Sequence, residues 1–357
     1  MAIGSWAGGG FVLAVNENTH AEARYARQSV LDVIGQAGQQ KLAESTVLVI
    51  GCGALGSTQA ELLARAGIGK LILVDRDVLE LHNLQRQLLF DEQDVRERLP
   101  KAAAAARRLK TVNSEITIEA VVTDVTATNI EELLRPVDLV LDGTDNFETR
   151  YLLNDAAIRT DKPWVYGGVL GTGGTVMAVH PGQGPCLRCI FPEPPDAGSL
   201  PTCETQGVLN TAVAWVAALQ VTEAFKLLVS TPTVAFKLHA MDVWQGSMTS
   251  VTVKRSEDCI CCARQRFEFL NAERSSSSTV LCGRNAVQVT PEHETIPDFA
   301  GLSERLAPLG VVRVNGLVLE FTYGVHRLVV FPDGRVLVMG TTDIAEARGL
   351  VAKYIGS

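Results

Sequence analysis

Residues 46–56 read TVLVIGCGALG, and this stretch decides the fold. The apolar run TVLVI has the length and the β-branched content of a buried strand, and STQAELLARAG, which follows, has the pattern of a helix. Gly51, Gly53 and Gly56 match the G-x-G-x-x-G pattern, in which a tight turn lets the backbone approach a phosphate group at a helix N-terminus. The stretch therefore predicts a nucleotide-binding turn, and both NAD and ATP would fit it.

Strands and helices alternate on the C-terminal side of this turn. The predicted strands are 46–50, 70–74, 116–121 and 138–142, and the predicted helices are 57–66, 100–111, 130–134 and 148–159. The runs PWVYGGV and GGTVMAV read as two further strands. Such alternation is typical of a parallel sheet with right-handed crossovers. The expected fold class is therefore α/β, with a doubly wound, largely parallel, Rossmann-like sheet.

Composition divides the rest of the chain into segments. We expect a loose leader at 1–21, the main domain at 22–270, a Ser-rich linker at 271–279 and a small α+β module of unknown role at 280–357. In the module the pattern predicts a helix at 301–306, three strands separated by glycine turns, and a final helix that begins at Asp343. Residues 210–228 are apolar on almost every side, which indicates a buried helix, with a subunit interface as one possible place for it.

Composition and charge also narrow the class of protein. The chain has 357 residues, of which 46% are apolar and 20% are charged, as is ordinary for globular proteins. Its net charge of -8 argues against a protein that binds nucleic acid. The sequence has no run of eighteen apolar residues and no basic start of a signal peptide. We therefore expect no membrane segment and a cytoplasmic location.

Charged residues follow the predicted strands at the carboxyl edge of the sheet, where open parallel sheets bind their ligands. Asp75 ends the second strand and can accept hydrogen bonds from ribose hydroxyls. Arg86 and Lys101 are cations, and Lys101 begins a helix, where a cation is unfavourable unless a polyanion binds beside it. Asp145 lies past the end of another strand. A carboxylate suited to Mg²⁺ beside these cations favours ATP cleavage over hydride transfer.

The cysteines contain two Cys-x-x-Cys pairs, Cys186 with Cys189 and Cys259 with Cys262. Four thiolates from two such pairs make a closed, tetrahedral Zn²⁺ site with a structural role. Cys261 is a third thiol in the second pair and could replace Cys262, although the spacing favours Cys262. A redox pair and buried free thiols are the alternatives to zinc.

Several motifs in order resemble the ThiF/MoeB/HesA family of adenylating enzymes, which are relatives of ubiquitin-activating enzymes. The motifs are RYARQ, GCGALG, VDRDVLELHNLQRQ, PKA, DGTDN, CLRC, TCETQGV and the second cysteine pair, within residues 22–270. The resemblance implies an enzyme that uses ATP to adenylate the C-terminal Gly-Gly carboxylate of a small ubiquitin-like sulfur carrier of the ThiS or MoaD type. Pyrophosphate is released, and the carrier then serves thiamin, molybdopterin or related sulfur transfer.

The resemblance also implies a role for each residue at the nucleotide. It assigns Asp75 to the ribose, Asn83, Arg86 and Lys101 to the phosphates, Asp145 to Mg²⁺, and Arg27 to the nucleotide held by the other subunit of a homodimer. A sulfur donor such as a cysteine desulfurase or a rhodanese would be a further partner. A carboxylate is already a nucleophile at neutral pH, so adenylation needs orientation and charge stabilisation more than an acid and a base.

Cys203 lies in PTCETQGVLN, which resembles the mobile crossover loop of the family, whose cysteine in several members attacks or links to the activated carrier. We expect Cys203 to be an attacking thiol, with an inert loop cysteine as the alternative. Asn210, Thr211 and Ala212 stand where relatives often carry Gly-Pro, which weakens this expectation. Cys282 is expected in the core of the module, with a sulfur acceptor as the alternative.

Two other functions stay open at the level of sequence. An NAD-dependent oxidoreductase would use the glycine turn but would have no need for Arg86, Lys101 and Asp145. A non-catalytic scaffold that binds a ubiquitin-like protein would not bind ATP.

Overall fold

The computed structural model describes residues 17–195, 205–229, 236–273, 279–281, 285–290 and 296–356. The larger of its two sheets has eight strands in the order β3-β2-β1-β4-β5-β6-β7-β8. These strands are β1 Thr46–Ile50, β2 Lys70–Val74, β3 Thr117–Val121, β4 Leu139–Asp142, β5 Trp164–Leu170, β6 Gly173–Val179, β7 Lys237–Asp242 and β8 Ser247–Thr252. Strands β1 to β5 are parallel, and β6 to β8 continue the sheet antiparallel. The predicted, largely parallel α/β sheet is confirmed.

Helices cover both faces of this sheet. They are α1 Glu17–Ser29, α2 Gly35–Glu44, α3 Ala54–Ala66, α4 Glu92–Arg96, α5 Lys101–Val112, α6 Ile130–Leu134, α7 Phe147–Arg159 and α8 Asn210–Val229. Val47 and Val49 of β1 point into a core shared with α3, α5 and α8, whereas Leu48 and Ile50 point into a second core shared with α6 and α7. Because both faces are buried, the strands read as continuous apolar runs.

Two N-terminal helices differ from the sequence prediction. Helix α1 begins at Glu17, within the stretch expected to be a loose leader, and α2 was not predicted. The segment GQAGQQKLAE carries two glycines, which disfavour a helix on propensity alone. At Gly38 a Cβ would lie 2.7 Å from Cγ1 of Val229, so this glycine lets α2 approach α8 closely. Tertiary packing therefore decides the structure here.

Among the described residues, α8 is the one helix that is long and apolar enough to cross a membrane. A single helix of this kind is weak evidence for a membrane segment, since a core helix has the same composition. Helix α8 packs against α3, β5 and β6. Within the single chain Trp215 and Leu219 of this helix are only half-buried, so burial on almost every side would need the subunit interface that the sequence allowed, which stays a prediction.

The module forms a six-stranded antiparallel sheet in the order β11-β12-β13-β14-β10-β9. Its elements are β9 Thr279–Leu281, β10 Ala286–Val289, α9 Phe299–Leu306, β11 Val311–Val314, β12 Leu319–Tyr323, β13 His326–Val330, β14 Val336–Met339 and α10 Ile344–Tyr354. Four strands, not the three predicted, flank the glycine turns. Asp343 caps α10 as predicted, accepting a hydrogen bond of 2.7 Å from the amide of Ala345. Both helices pack against one face of this sheet.

Candidate nucleotide and metal sites

The glycine turn packs against the turn that follows β4. Gly51 has a φ of +87°, and a Cβ there would lie 2.7 Å from the carbonyl oxygen of Gly143. At Gly56 a Cβ would lie 1.7 Å from the carbonyl oxygen of Gly51, so no larger residue fits. Helix α3 begins at Ala54, directly after Gly53. The turn therefore presents a helix N-terminus at the crevice between β1 and β4, where doubly wound sheets bind nucleotides.

Asp75 joins the glycine turn to the end of β2. Its carboxylate accepts hydrogen bonds from the backbone amides of Cys52 at 2.6 Å and of Asp77 at 2.7 Å. The side chain is buried, and burial raises its pKa while the nearby Lys101 opposes this rise. Asp75 therefore lies at the glycine turn, where the sequence predicts a carboxylate that contacts a ribose. Lys101 is close to it.

Lys101 is buried at the first position of α5. Its Nζ lies 2.9 Å from Oδ2 of Asp77, and its backbone amide donates to the carbonyl oxygen of Asp77 at 2.8 Å. The sequence identified the cation at the helix start, and the structure adds the carboxylate that pairs with it. An ammonium has three donors, so phosphate oxygens can bind Lys101 beside Asp77.

Two buried amide side chains near the glycine turn have unpaired polar atoms. Asn83 accepts a hydrogen bond from the amide of Glu80 at 3.0 Å, but its Nδ2 is buried with no partner. Oε1 of Gln87 is also unpaired, and Nε2 of Gln87 lies 3.8 Å from where a Cβ on Gly53 would be. A buried donor without an acceptor is costly, and a phosphate oxygen would satisfy it. Arg86, on the same segment, bonds the carbonyl oxygen of His82 at 3.0 Å.

Asp145 is exposed on the turn between β4 and α7. The next residue, Asn146, caps α7 by accepting a hydrogen bond from the amide of Thr149 at 2.8 Å. Burial lowers the pKa of Arg76 and of Arg150, but nearby acidic groups raise it by more, chiefly Asp124 at Arg76 and Asp142 at Arg150, and Asp145 adds a smaller effect in the same direction at both guanidinium groups. The turn thus presents an unburied carboxylate at the sheet edge predicted for the metal.

Sequence analysis missed the buried pair that supports this turn. Arg150 of α7 lies 3.0 Å from Asp142 and also donates to the carbonyl oxygens of Thr144 and Gly167 at 2.6 and 3.0 Å. In the sequence, this pair could have been recognised as two opposite charges on either side of the turn. Asp142 ends the strand, and Arg150 lies in the first turns of the helix.

Arg27 does not reach the nucleotide turn of its own chain. The neighbouring Gln28 bonds the carbonyl oxygen of Ala66 at 3.0 Å, at the C-terminal end of α3. The glycine turn lies at the opposite end of that helix, about 20 Å away at 1.5 Å per residue. Arg27 is exposed at that distant position.

The four predicted metal ligands converge. The Sγ atoms of Cys186, Cys189, Cys259 and Cys262 all lie within 4.8 Å of one another, with two separations of 3.5 Å and one of 3.9 Å. A tetrahedral Zn²⁺ site with 2.3 Å bonds places its sulfurs about 3.8 Å apart, so the cluster has the right size. Hydrogen bonds among the four thiols lower the pKa of Cys259 and Cys262 and raise the pKa of Cys186, as expected where close thiols share protons; a metal ion would take all four as thiolates.

Cys261 lies outside the cluster. Nδ2 of Asn154 donates to its Sγ at 3.2 Å, and Oδ1 of the same side chain accepts from the amide of Leu187 at 2.9 Å. The structure therefore favours Cys262 over Cys261 as the fourth ligand, as the spacing predicts. Cys203 and Cys282 lie outside the described residues.

A glycine turn at the carboxyl edge of a largely parallel sheet, with a buried acid and buried donors beside it, is typical of nucleotide-binding α/β proteins, and the four-cysteine cluster could hold a metal ion. The chain belongs to the ThiF family, whose model matches residues 25–261. The resemblance inferred from the motifs is thereby confirmed.

Relatives and solved structures agree with this assignment. The chain is 41% identical to the sulfur carrier protein ThiS adenylyltransferase of Bacillus subtilis over 336 residues, which are 93% of this chain and 99% of that protein. It is 40% identical to the sulfur carrier protein adenylyltransferase of Thermus thermophilus over 245 residues, 67% of this chain and 90% of that protein. The structure of Escherichia coli MccB with MccA-N7isoASN matches with a TM-score of 0.60 at 24% identity, covering 67% of this chain and 74% of that one. That last likeness shows the fold alone.

Proposed function

We propose that this protein is an ATP-dependent adenylyltransferase that acts on the C-terminal Gly-Gly carboxylate of a ubiquitin-like sulfur carrier. The observation that carries the proposal is the meeting of the glycine turn, Asp75, Lys101 and Asp145 at one edge of the sheet. An NAD-dependent oxidoreductase has no use for this charge, and the relatives are named adenylyltransferases. Nδ2 of Asn83 is a buried donor without a partner, and a bound phosphate would satisfy it. In a scaffold that binds no nucleotide, the cost of burying this donor would stay uncompensated.

In this reaction a carboxylate oxygen of the carrier attacks the α-phosphorus of ATP. The bond from that phosphorus to the bridging oxygen of the β-phosphate breaks, and pyrophosphate leaves. Asp75 holds the ribose, while Asn83, Arg86 and Lys101 hold the phosphates and stabilise the charge that develops on their oxygens. Asp145 is the residue that would hold Mg²⁺, which supplies further neutralisation of the phosphates when it is bound.

We further propose that the four-cysteine cluster binds a structural Zn²⁺ ion. The two pairs come from segments far apart in sequence, so the free energy of metal binding contributes to folding. With four protein ligands no position stays open for a substrate.

A homodimer is also part of the proposal. Arg27 lies far from its own nucleotide turn, which supports a role for Arg27 of the partner subunit at the nucleotide. Val30, Leu31 and Val33 follow it and are 74%, 50% and 78% exposed. Such an apolar patch fits burial against a second copy of the chain. A sulfur donor, a cytoplasmic location and the pathway served by the carrier stay predictions from the sequence.

Pyrophosphate exchange tests the proposed activity. Labelled pyrophosphate should enter ATP only when a carrier with an intact Gly-Gly terminus is present, since the attacking carboxylate belongs to the last glycine. A carrier that lacks this glycine is the matched control. Exchange without a carrier, or equal exchange with the truncated one, would contradict the proposed reaction.

A further inference from the structure

The module packs directly against the segment that carries the phosphate-binding residues. Val78, three residues after Asp75, lies in an apolar cluster with Ala286, Val318, Val329, Phe331 and Leu337 of the module. Nδ2 of Asn315 donates to the carbonyl oxygens of Glu97 and Arg98 at 3.2 and 3.0 Å. The family model ends at residue 261, before the module begins. One side of this interface therefore lies in a part of the protein that the family match does not include.

A cleft follows this interface in two adjoining lobes of about 330 Å³ each. Each lobe is as large as the smaller sites that bind organic ligands. Charged side chains from both sides of the interface line the cleft: Glu80, Arg96, Glu97, Arg98, Arg313, Glu320 and Arg327.

The ion pairs inside the cleft leave an excess of positive charge. Glu320 pairs with Arg98, and Arg327 lies 3.5 Å from Glu80 and 3.9 Å from Glu320. The third carboxylate of the lining, Glu97, pairs with Arg107 outside the cleft. Four guanidinium groups against three carboxylates leave the lining with an excess of one positive charge, although the whole chain has a net charge of -8.

The remaining two arginines differ in what they already bind. Arg96 is exposed and bonds Glu92 at 3.3 Å and Oε1 of Gln93 at 3.0 and 3.1 Å, all outside the cleft lining, so a ligand would replace some of these exposed bonds. Arg313 of β11 lines both lobes, and within the described part of the chain it forms no ion pair and no side-chain hydrogen bond. A guanidinium fork binds phosphate in a bidentate manner.

We propose that this cleft binds a phosphorylated small molecule. A phosphate monoester is an anion at neutral pH, which suits the positive excess of the lining and the unpaired guanidinium of Arg313. Leu81, Val95 and Val314 line the same space and would contact the organic part of the ligand. Arg98 has a φ of +52°, an unusual conformation that Asn315 and Glu320 hold in place at the centre of the cleft.

This site is separate from the nucleotide site. Neither Asn83, Arg86 nor Lys101 lines either lobe. Leu79, Glu80 and Leu81 of the lining precede the turn of Asn83 in the chain. Because no phosphate-binding residue is shared between the two sites, binding in the cleft should persist when the nucleotide site is filled.

Isothermal titration calorimetry on the full chain tests the proposal. The nucleotide site is first saturated with Mg²⁺ and a non-hydrolysable ATP analogue, and phenyl phosphate or inorganic phosphate is then titrated. Phenyl phosphate should bind, and more tightly than inorganic phosphate. Arg313→Gln should weaken it roughly tenfold or more, as expected for a lost charge-assisted hydrogen bond. Arg96→Gln should act in the same direction.

Arg264→Gln is the matched control, because it removes one exposed arginine that pairs with Asp258, away from the cleft. This variant should bind phenyl phosphate as the wild type does. Arg313→Gln should keep the wild-type rate of pyrophosphate exchange, which separates this proposal from the proposed activity. Absence of binding, equal binding by Arg313→Gln and wild type, or loss of binding when the ATP analogue is present would overturn the proposal. Equal affinity for the two probes would overturn its organic part.

Discussion

Arg150 and Asp142 form a buried ion pair at 3.0 Å that closes the turn between β4 and α7. The other carboxylate oxygen of Asp142 accepts from the amide and the hydroxyl of Thr144 at 2.9 and 2.7 Å, and Arg150 donates to the carbonyl oxygen of Thr144. Asp145 is the next residue. The exposed carboxylate of Asp145 therefore lies on a turn whose backbone is fixed by the buried charges of Asp142 and Arg150.

Removing one partner of this pair should destabilise the protein strongly. Arg150→Met leaves the carboxylate of Asp142 buried and unpaired, which costs about 3–5 kcal/mol in free energy of unfolding. Urea unfolding measures the change. Arg159→Met, on the same helix, breaks an exposed pair with Glu131 and should cost less than about 1 kcal/mol. Equal costs for the two variants would refute the importance of the buried pair.

Lys101 and Asp77 should affect catalysis differently. Lys101→Ala removes a cation from the phosphates and should slow pyrophosphate exchange on the order of 10²-fold. Asp77→Asn keeps the cation and removes its carboxylate partner, so the KM for ATP should stay equal or fall. If Asp77→Asn slows exchange as much as Lys101→Ala does, the prediction is wrong, and the reaction requires the ion pair and not the cation alone.

Metal analysis should find one Zn²⁺ per chain. Cys262→Ser should lose the metal and lower the melting temperature of the whole protein, because the site joins distant segments. Cys261→Ser is the matched control, a buried neighbouring thiol that the structure places outside the cluster, and it should retain the metal. The reverse pattern would make Cys261 the fourth ligand.

Mixed dimers test the position of Arg27. Arg27→Ala and Lys101→Ala should each impair exchange, yet a refolded mixture should regain activity, because a mixed dimer contains one site with both residues intact. Random mixing should restore up to about a quarter of wild-type activity, from half mixed dimers with one good site of two. No recovery in a mixture shown to exchange subunits would place Arg27 outside the partner's site.

Cys203→Ser separates activation from thiol chemistry. If Cys203 attacks the activated carrier, exchange should survive while sulfur transfer falls sharply, since a serine hydroxyl is a far poorer nucleophile at neutral pH. Both steps are measured on one preparation with its zinc content verified. Full transfer by the variant would leave the thiol chemistry to Cys282 or to another protein.

The sequence predicted strands β1 to β6, because the central strands are apolar on both faces and each helix between them has a clear pattern. It did not predict β7 and β8, since all six residues of β8 are exposed and no apolar run marks that strand. It also predicted that the four cysteines lie together, because two Cys-x-x-Cys pairs are typical of a metal site. It could not predict α2, which depends on the contact of Gly38 with Val229. Nor could it pair Lys101 with Asp77 or Arg150 with Asp142, since such pairs arise from loops that only the folded sheet brings together. In the described part of the module the sequence predicted three of six strands, because runs of only three to five residues have a weak pattern.

Helix α7 connects the two sites of the molecule. Its first residue follows Asn146 beside Asp145, and in the middle of the helix Asn154 bonds the amide of Leu187 and the thiol of Cys261, one residue from a predicted metal ligand in each case. The seven steps along the helix from Phe147 to Asn154 rise about 10 Å, so a single short stretch of helix spans the distance between the two sites. We therefore expect a rearrangement of the cysteine segments to be felt at the turn of Asp145, although no cysteine lies on that turn.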